Sequence, residues 1–323
     1  MSPAIASVEL AIETHGLTKQ FGRQIAVAGI DLAVPTGSVF GFLGPNGSGK
    51  TTTIRMMLGL ASATSGEISL LGRAMPGSFR AVLPRVGALV EGPAFYPFLS
   101  GTANLRRLDT ADPGAPSATR GARVQRALER VGLTHAAGKK VHAYSLGMRQ
   151  RLGIANALLM PRELLVLDEP TNGLDPQGTR EVRSLVRSLA AEGTTVFVSS
   201  HLLAEVEQMC SHVAVMRAGT LVAQGTLDEL RGAGEAHARL DTPDAAAAAQ
   251  VLERLGLTPV TAGAAAGAPG HLSAALTAAA PAPEDIVAAL VTAGVRVRGF
   301  TVVGASLEER FVALTGEGFD VAQ

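Results

Sequence analysis

The run Gly44-Pro45-Asn46-Gly47-Ser48-Gly49-Lys50-Thr51 spells a complete G-x-x-x-x-G-K-[ST] phosphate loop. Ahead of it, Ser38 to Leu43 reads as a buried strand; behind it, Thr51 to Leu60 reads as a helix. That context is what the motif needs to grip a nucleoside triphosphate. The glycines let successive backbone N–H groups face the β-phosphate, with the positive end of the helix behind them. Lys50 has the reach for the β- and γ-phosphates, the Thr51 hydroxyl suits Mg²⁺, and Thr52 continues the binding run. The other lysines are Lys19, Lys139 and Lys140, so a lysine at position 50 stands out from an arginine-rich background.

A second element is Leu164-Leu165-Val166-Leu167-Asp168-Glu169-Pro170. Four apolar residues predict a buried strand, and two carboxylates emerge at its C-terminal end, where α/β sheets bind ligands. Asp168 is placed to hold Mg²⁺, directly or through water. Glu169 points differently and is suited to orient or deprotonate an attacking water. Residues from about 7 to 230 alternate strand and helix patterns, which predicts a mostly parallel sheet flanked by helices. Further strands are expected at Thr194–Ser199, His212–Met216 and Leu221–Ala223. Residues from about 100 to 160 read as a mainly helical lobe, broken by the loop Ala111–Pro116.

Composition narrows the function classes. The 323 residues are 47% hydrophobic, enough for one large domain and a smaller one. Lys+Arg and Asp+Glu are balanced at 28 each, so there is no global basic field to draw the chain to nucleic acid. A single cysteine, Cys210, excludes an internal disulfide framework and fits a reducing cytosol. Glu9 and Glu13 interrupt the apolar stretch near the N-terminus, and no window of about 18 apolar residues is present. A cytoplasmic protein is expected.

The run Tyr144-Ser145-Leu146-Gly147-Met148-Arg149-Gln150-Arg151 leads into the helical pattern Leu152–Leu159. Here the sequence resembles the ATP-binding cassette (ABC) family, whose signature is usually L-S-G-G-Q. Physically, Ser145 and Gly147 at a helix N-terminus make a second anion site from a hydroxyl, approachable N–H groups and a dipole. Tyr144, Leu146 and Met148 depart from the consensus, while the serine and the second glycine are kept. The resemblance implies a homodimer with two ATP and Mg²⁺ sandwiched head to tail, Ser145, Leu146, Gly147 and Met148 completing the opposite subunit's site. In Asn172-Gly173-Leu174-Asp175-Pro176, Asp175 resembles the D-loop residue that contacts the opposite subunit, and it also reads as a helix cap. His201, in Ser199-Ser200-His201, resembles the switch histidine that contacts the γ-phosphate. Phe21 sits where the family places a ring against adenine. The family usually has glutamine where this chain has Glu91, a position associated with Mg²⁺ and with the membrane partner. A carboxylate there resembles the bacitracin- and lantibiotic-type export subgroup. Phe95 and Tyr96 follow in a proline-flanked loop suited to a partner helix.

Composition shifts near Arg231-Gly232-Ala233-Gly234, giving a cassette at 7–231 and an accessory domain at 235–316. The latter reads strand (Ala236–Leu240), helix (Pro243–Leu255), strand (Leu257–Thr261), strand (Leu272–Thr277), helix (Pro283–Ala293), strand (Val295–Thr301). That β-α-β-β-α-β order predicts a small α+β ferredoxin-like unit. Proline is expected at the first position of both helices, with Gly256 and Gly294 ending them. Ala262–Gly270 reads as a loose loop, and Ser306-Leu307-Glu308-Glu309 as a capping box with Leu307, Phe311 and Leu314 on one stripe. The reading that follows is the ATPase subunit of an exporter of drugs or antibiotic peptides, working at the inner membrane face through a separate permease. The alternative is a soluble ABC ATPase with a regulatory role.

Overall fold

The strand before the phosphate loop is five residues long and buried at every one, which marks it as the inside of a sheet covered on both faces. In the computed structural model, which describes residues 9–92, 94–112, 114–232, 236–261, 271–277 and 280–303, the chain divides into two compact units at Leu227/Asp228. The strands of the first unit are β1 (Leu10–Phe21), β2 (Gln24–Ile30), β3 (Ala33–Pro35), β4 (Val39–Leu43), β5 (Ser65–Leu70) and β6 (Arg73–Met75). They continue with β7 (Val86–Leu89), β8 (Leu164–Asp168), β9 (Thr195–Ser200), β10 (His212–Arg217) and β11 (Thr220–Thr226).

Six of them form one sheet in the order β11-β10-β4-β9-β8-β7, parallel except for the β10–β11 hairpin. The expected parallel sheet is present. A separate antiparallel sheet, β2-β1-β5-β6 with β3 on β1, was not legible as a unit, because its strands are irregular. The aromatic core sits at the centre of the parallel sheet. Phe197 on β9 stacks on Phe40 at 5.8 Å and lies 5.2 Å from Phe42, both on β4. Close packing continues onto Gly41, where a Cβ would lie 2.7 Å from Val206 and 3.0 Å from the Sγ of Cys210. Burial pushes the Cys210 thiol up to about 12.

Between β7 and β8 the chain is helical at Gly101–Ala111, Arg120–Arg130 and Leu146–Ala157. The expected lobe is thus observed, and a buried polar knot holds it. Asp109 receives two bonds from Arg123, at 2.8 and 2.6 Å, and one from Arg120 at 3.0 Å. These guanidinium bonds, Arg123 first, hold the Asp109 carboxyl below its usual range.

The second unit contains β12 (Ala236–Asp241), β13 (Pro259–Thr261), β14 (His271–Leu276) and β15 (Gly299–Val303), an antiparallel sheet ordered β13-β14-β12-β15. Helices Ala245–Arg254 and Pro283–Thr292 fill the expected places. Gly256 and Gly294, at φ 78° and 79°, follow them as expected. Two expectations need correction. Pro243 is not at the first helical position, because Asp244 is the N-cap and the Thr242 hydroxyl turns the chain by accepting the Asp244 N–H. The last strand starts at Gly299, not Val295. Arg296 is drawn off by Asp244, which accepts its backbone N–H at 3.0 Å and both arms of its guanidinium. The residues expected as the loop Ala262–Gly270 and as the closing helix with Leu307, Phe311 and Leu314 lie outside the described residues.

Candidate functional site

Parallel neighbours bring their C-terminal ends to one edge of a sheet, about 4.8 Å apart. β4, β9 and β8 are such neighbours, so the phosphate loop, Ser199-Ser200-His201 and Asp168-Glu169 converge. The register pairs Leu43 with Ser200 and Asp168 with Ser199.

The loop itself tolerates nothing larger than glycine at two points. A Cβ on Gly44 would fall 2.6 Å from the Met216 carbonyl and 2.6 Å from the Ser48 hydroxyl. Gly49 has φ +105°, and its Cβ would fall 2.6 Å from the Ala26 carbonyl. Helix Lys50–Met57 begins there without a side-chain cap, so no side chain competes for the N–H groups of its first turn. By contrast, Ser145 and Asp175 cap their own helices, accepting from Met148 N at 3.2 Å and Gly178 N at 2.9 Å.

Lys50 is buried and bends back over the loop. Its Nζ donates to the Gly44 carbonyl at 2.6 Å and the Pro45 carbonyl at 3.3 Å, and lies 3.4 Å from Glu169 Oε1. Three donors are therefore spent on the protein itself. Burial lowers the Lys50 pKa, opposed by the carboxylates of Glu169 and Asp168. The other oxygen of Glu169 meets His201 Nδ1 at 2.8 Å. One carboxylate thus links the lysine of the loop to the histidine after β9. Glu169 holds this position on a left-handed backbone, φ 48°, with its carbonyl 3.4 Å from Gln150 Nε2.

Two observations fit this site to a phosphorylated ligand and a hard cation. Ser48 Oγ is buried with no partner among the described residues, in the middle of the loop. The Thr51 hydroxyl and the Asp168 carboxylate supply the oxygen donors that Mg²⁺ prefers. Glu91 follows β7 on a left-handed backbone and pairs with Arg55. Phe21 ends β1 half exposed, with Lys19 Nζ 4.8 Å from its ring centroid. Leu146 packs toward Gly173, where a Cβ would fall 2.8 Å away, so the run around Ser145 and the segment 172–176 are fitted together within one chain. Thr171 and Ser200 both donate to the Glu205 carboxylate. Sequence reasoning gave no role to Ser199, Gln150, Thr171 or Glu205; the β8–β9 register, which sets Ser199 opposite Asp168, is the signal for the first.

A family model described as ABC transporter matches residues 27–172. The bacitracin transport ATP-binding protein BcrA of Enterococcus faecalis is 43% identical, covering 76% of this chain and 79% of the relative. The chain belongs to the ABC transporter ATP-binding proteins. A second relative, the daunorubicin resistance ATP-binding protein DrrA3 of Streptomyces coeruleorubidus, is 37% identical over 96% of this chain and 97% of its own length. Among solved structures, cbiO1 from Clostridium perfringens, part of the ABC transporter complex cbiONQ, aligns with TM-score 0.63 and 28% identity over 69% of this chain and 90% of that one. This ABC ATPase therefore carries its nucleotide chemistry on the first unit. Among the described residues no helix is long and apolar enough to cross a membrane.

Proposed function

We propose that this ABC ATPase is the nucleotide-binding subunit of an exporter, driving a drug, an antibiotic peptide or a similar hydrophobic substrate through a separate permease. Support for the chemistry comes from one observation, the Glu169 carboxylate held between Lys50 Nζ at 3.4 Å and His201 Nδ1 at 2.8 Å. Lys50 exchanges its loop carbonyls and Glu169 for phosphate oxygens of ATP, and the freed carboxylate takes the proton of the attacking water. His201 orients that carboxylate and faces the γ-phosphate. Thr51 and Asp168 would hold Mg²⁺, which when bound would supply positive charge to the phosphates. Glu91 pairs with Arg55 at an exposed position, and we assign it to the same cation's surroundings and to the link with the permease.

Phe21 serves as the adenine platform, since stacking needs only an exposed π-face. Ser145, Leu146, Gly147, Met148 and Asp175 face a second copy of the chain across a homodimer. For the membrane partner, the exposed rings of Tyr96 and Phe98 offer a landing surface, Arg107 stacking on Tyr96 at 4.4 Å. Peripheral residence on the inner membrane face follows from that contact. The export reading draws on the bacitracin and daunorubicin relatives. We read 7–231 as the cassette and 235–316 as an accessory domain, whose strand order supports a ferredoxin-like unit. The test is co-expression with a candidate membrane permease: drug or peptide tolerance should rise with the wild type and not with Glu169→Gln. Tolerance that survives Glu169→Gln overturns the reading.

A further inference from the structure

We infer that Ser199 is a positioning residue that decides which oxygen of Asp168 is left free for a cation and holds the backbone of Glu169 in place. The inference rests on the roles proposed above for those two carboxylates. Ser199 is fully buried at the end of β9, in register with Asp168 on β8. Its hydroxyl donates to Asp168 Oδ1 at 2.5 Å and accepts the N–H of Glu169 at 2.9 Å.

A serine hydroxyl carries one hydrogen, so giving it to Oδ1 fixes the direction of both bonds. Among the described residues, Oδ1 is the oxygen of this carboxylate that receives a hydrogen bond, which leaves Oδ2 for a cation. The second bond acts on the next residue. Glu169 sits at φ 48°, a left-handed conformation that an L-residue adopts only when something holds it, and Pro170 after it has no N–H to offer. The Ser199 oxygen is what its amide grips. One hydroxyl thus sends two adjacent carboxylates in different directions, one to a metal and one toward Lys50 and His201. A hydroxyl that only satisfied buried polarity would need a single partner; this one joins both functional residues.

The experiment compares Ser199→Thr and Ser199→Val in the full-length protein, because they add the same bulk and differ by the hydroxyl. Binding of a fluorescent ATP analogue is measured with and without Mg²⁺, alongside kcat and KM for ATP hydrolysis and a melting curve. The threonine variant should stay within about threefold of the wild type throughout. In the valine variant the Mg²⁺-free affinity should hold, while the gain in affinity on adding Mg²⁺ and the kcat should each fall about tenfold or more, the size expected for losing a hydrogen bond to a charged group. If the added bulk unfolds both, Ser199→Ala takes the place of valine and the wild type that of threonine. Equal Mg²⁺ dependence and equal kcat with and without the hydroxyl overturn the inference. A wild type that releases no phosphate overturns the proposed reaction instead, and the Mg²⁺-dependent binding still decides the case of Ser199.

Discussion

The two units are both layered from sheets and helices, yet they bury different things. At the end of the parallel sheet the first unit buries Lys50, Asp168, Thr171, Ser199 and Ser200, each tied to another polar group. The core of the second unit is Leu, Ile, Val and Ala, with the single hydroxyl of Thr242 buried among its described residues, and the Asp244–Arg296 clasp is near the surface. Polar burial is costly unless every group finds a partner, so a sheet that accepts it at one edge is organised for chemistry there. A sheet with an apolar interior and its charges outside is organised for cohesion or docking.

Substitutions put that contrast to the test. The largest effect is expected for Glu169→Gln, which should lower ATP turnover about 10²–10⁴-fold while an ATP analogue still binds. Undiminished phosphate release in a steady-state assay would remove Glu169 from the reaction. His201→Ala should cost less, roughly 10- to 100-fold in kcat, with binding again retained, because it removes the partner that aims the carboxylate and not the base itself. Next is Asp109→Ala, which leaves Arg123 buried without its carboxylate and should cost about 3–5 kcal/mol in a denaturant melt. The wild-type contribution has a defined sign. Because the folded Asp109 pKa is depressed, its stabilisation is present above the usual carboxylate pKa near 4 and is lost as pH falls below it. Gly49→Ala should cost roughly 1–3 kcal/mol and distort the loop, given φ +105° and the Ala26 carbonyl 2.6 Å away. The smallest effect is reserved for Asp244→Asn. Arg296 holds the Asp244 carboxyl at about 2, so the clasp contributes above about pH 4 and fades as pH falls toward 2. Circular dichroism of the variant should lack that acid-sensitive component, and its turnover should match the wild type. A large loss of turnover would mean that the second unit shares in the chemistry.

The convergence of the candidate site was legible because its parts are sequence-local. A phosphate loop, a strand ending in two carboxylates and a strand ending in histidine each carry their own pattern, and parallel pairing then brings them together. What remained hidden depends on register. Ser199 shows its role only once it lies opposite Asp168, and Glu205 only once Thr171 and Ser200 are beside it. The engagement of Glu91 with Arg55 was invisible for the same reason, since helix and loop are distant in sequence. The antiparallel sheet escaped because register shifts in β1 blur its alternation. In the second unit the element order was readable, but Val295–Arg298 has strand-like composition and is claimed by Asp244 and Asp241. A propensity loses to a two-armed ion pair there.

Cys210 gives a last consequence. Its thiol is buried against Gly41, and that burial pushes its pKa up to about 12, which disfavours the thiolate near neutral pH. Peroxide and disulfide exchange both need that anion, and the chain has no second sulfhydryl to resolve against. This cysteine therefore offers oxidants and disulfide partners little to attack, and no thiol switch is built on it.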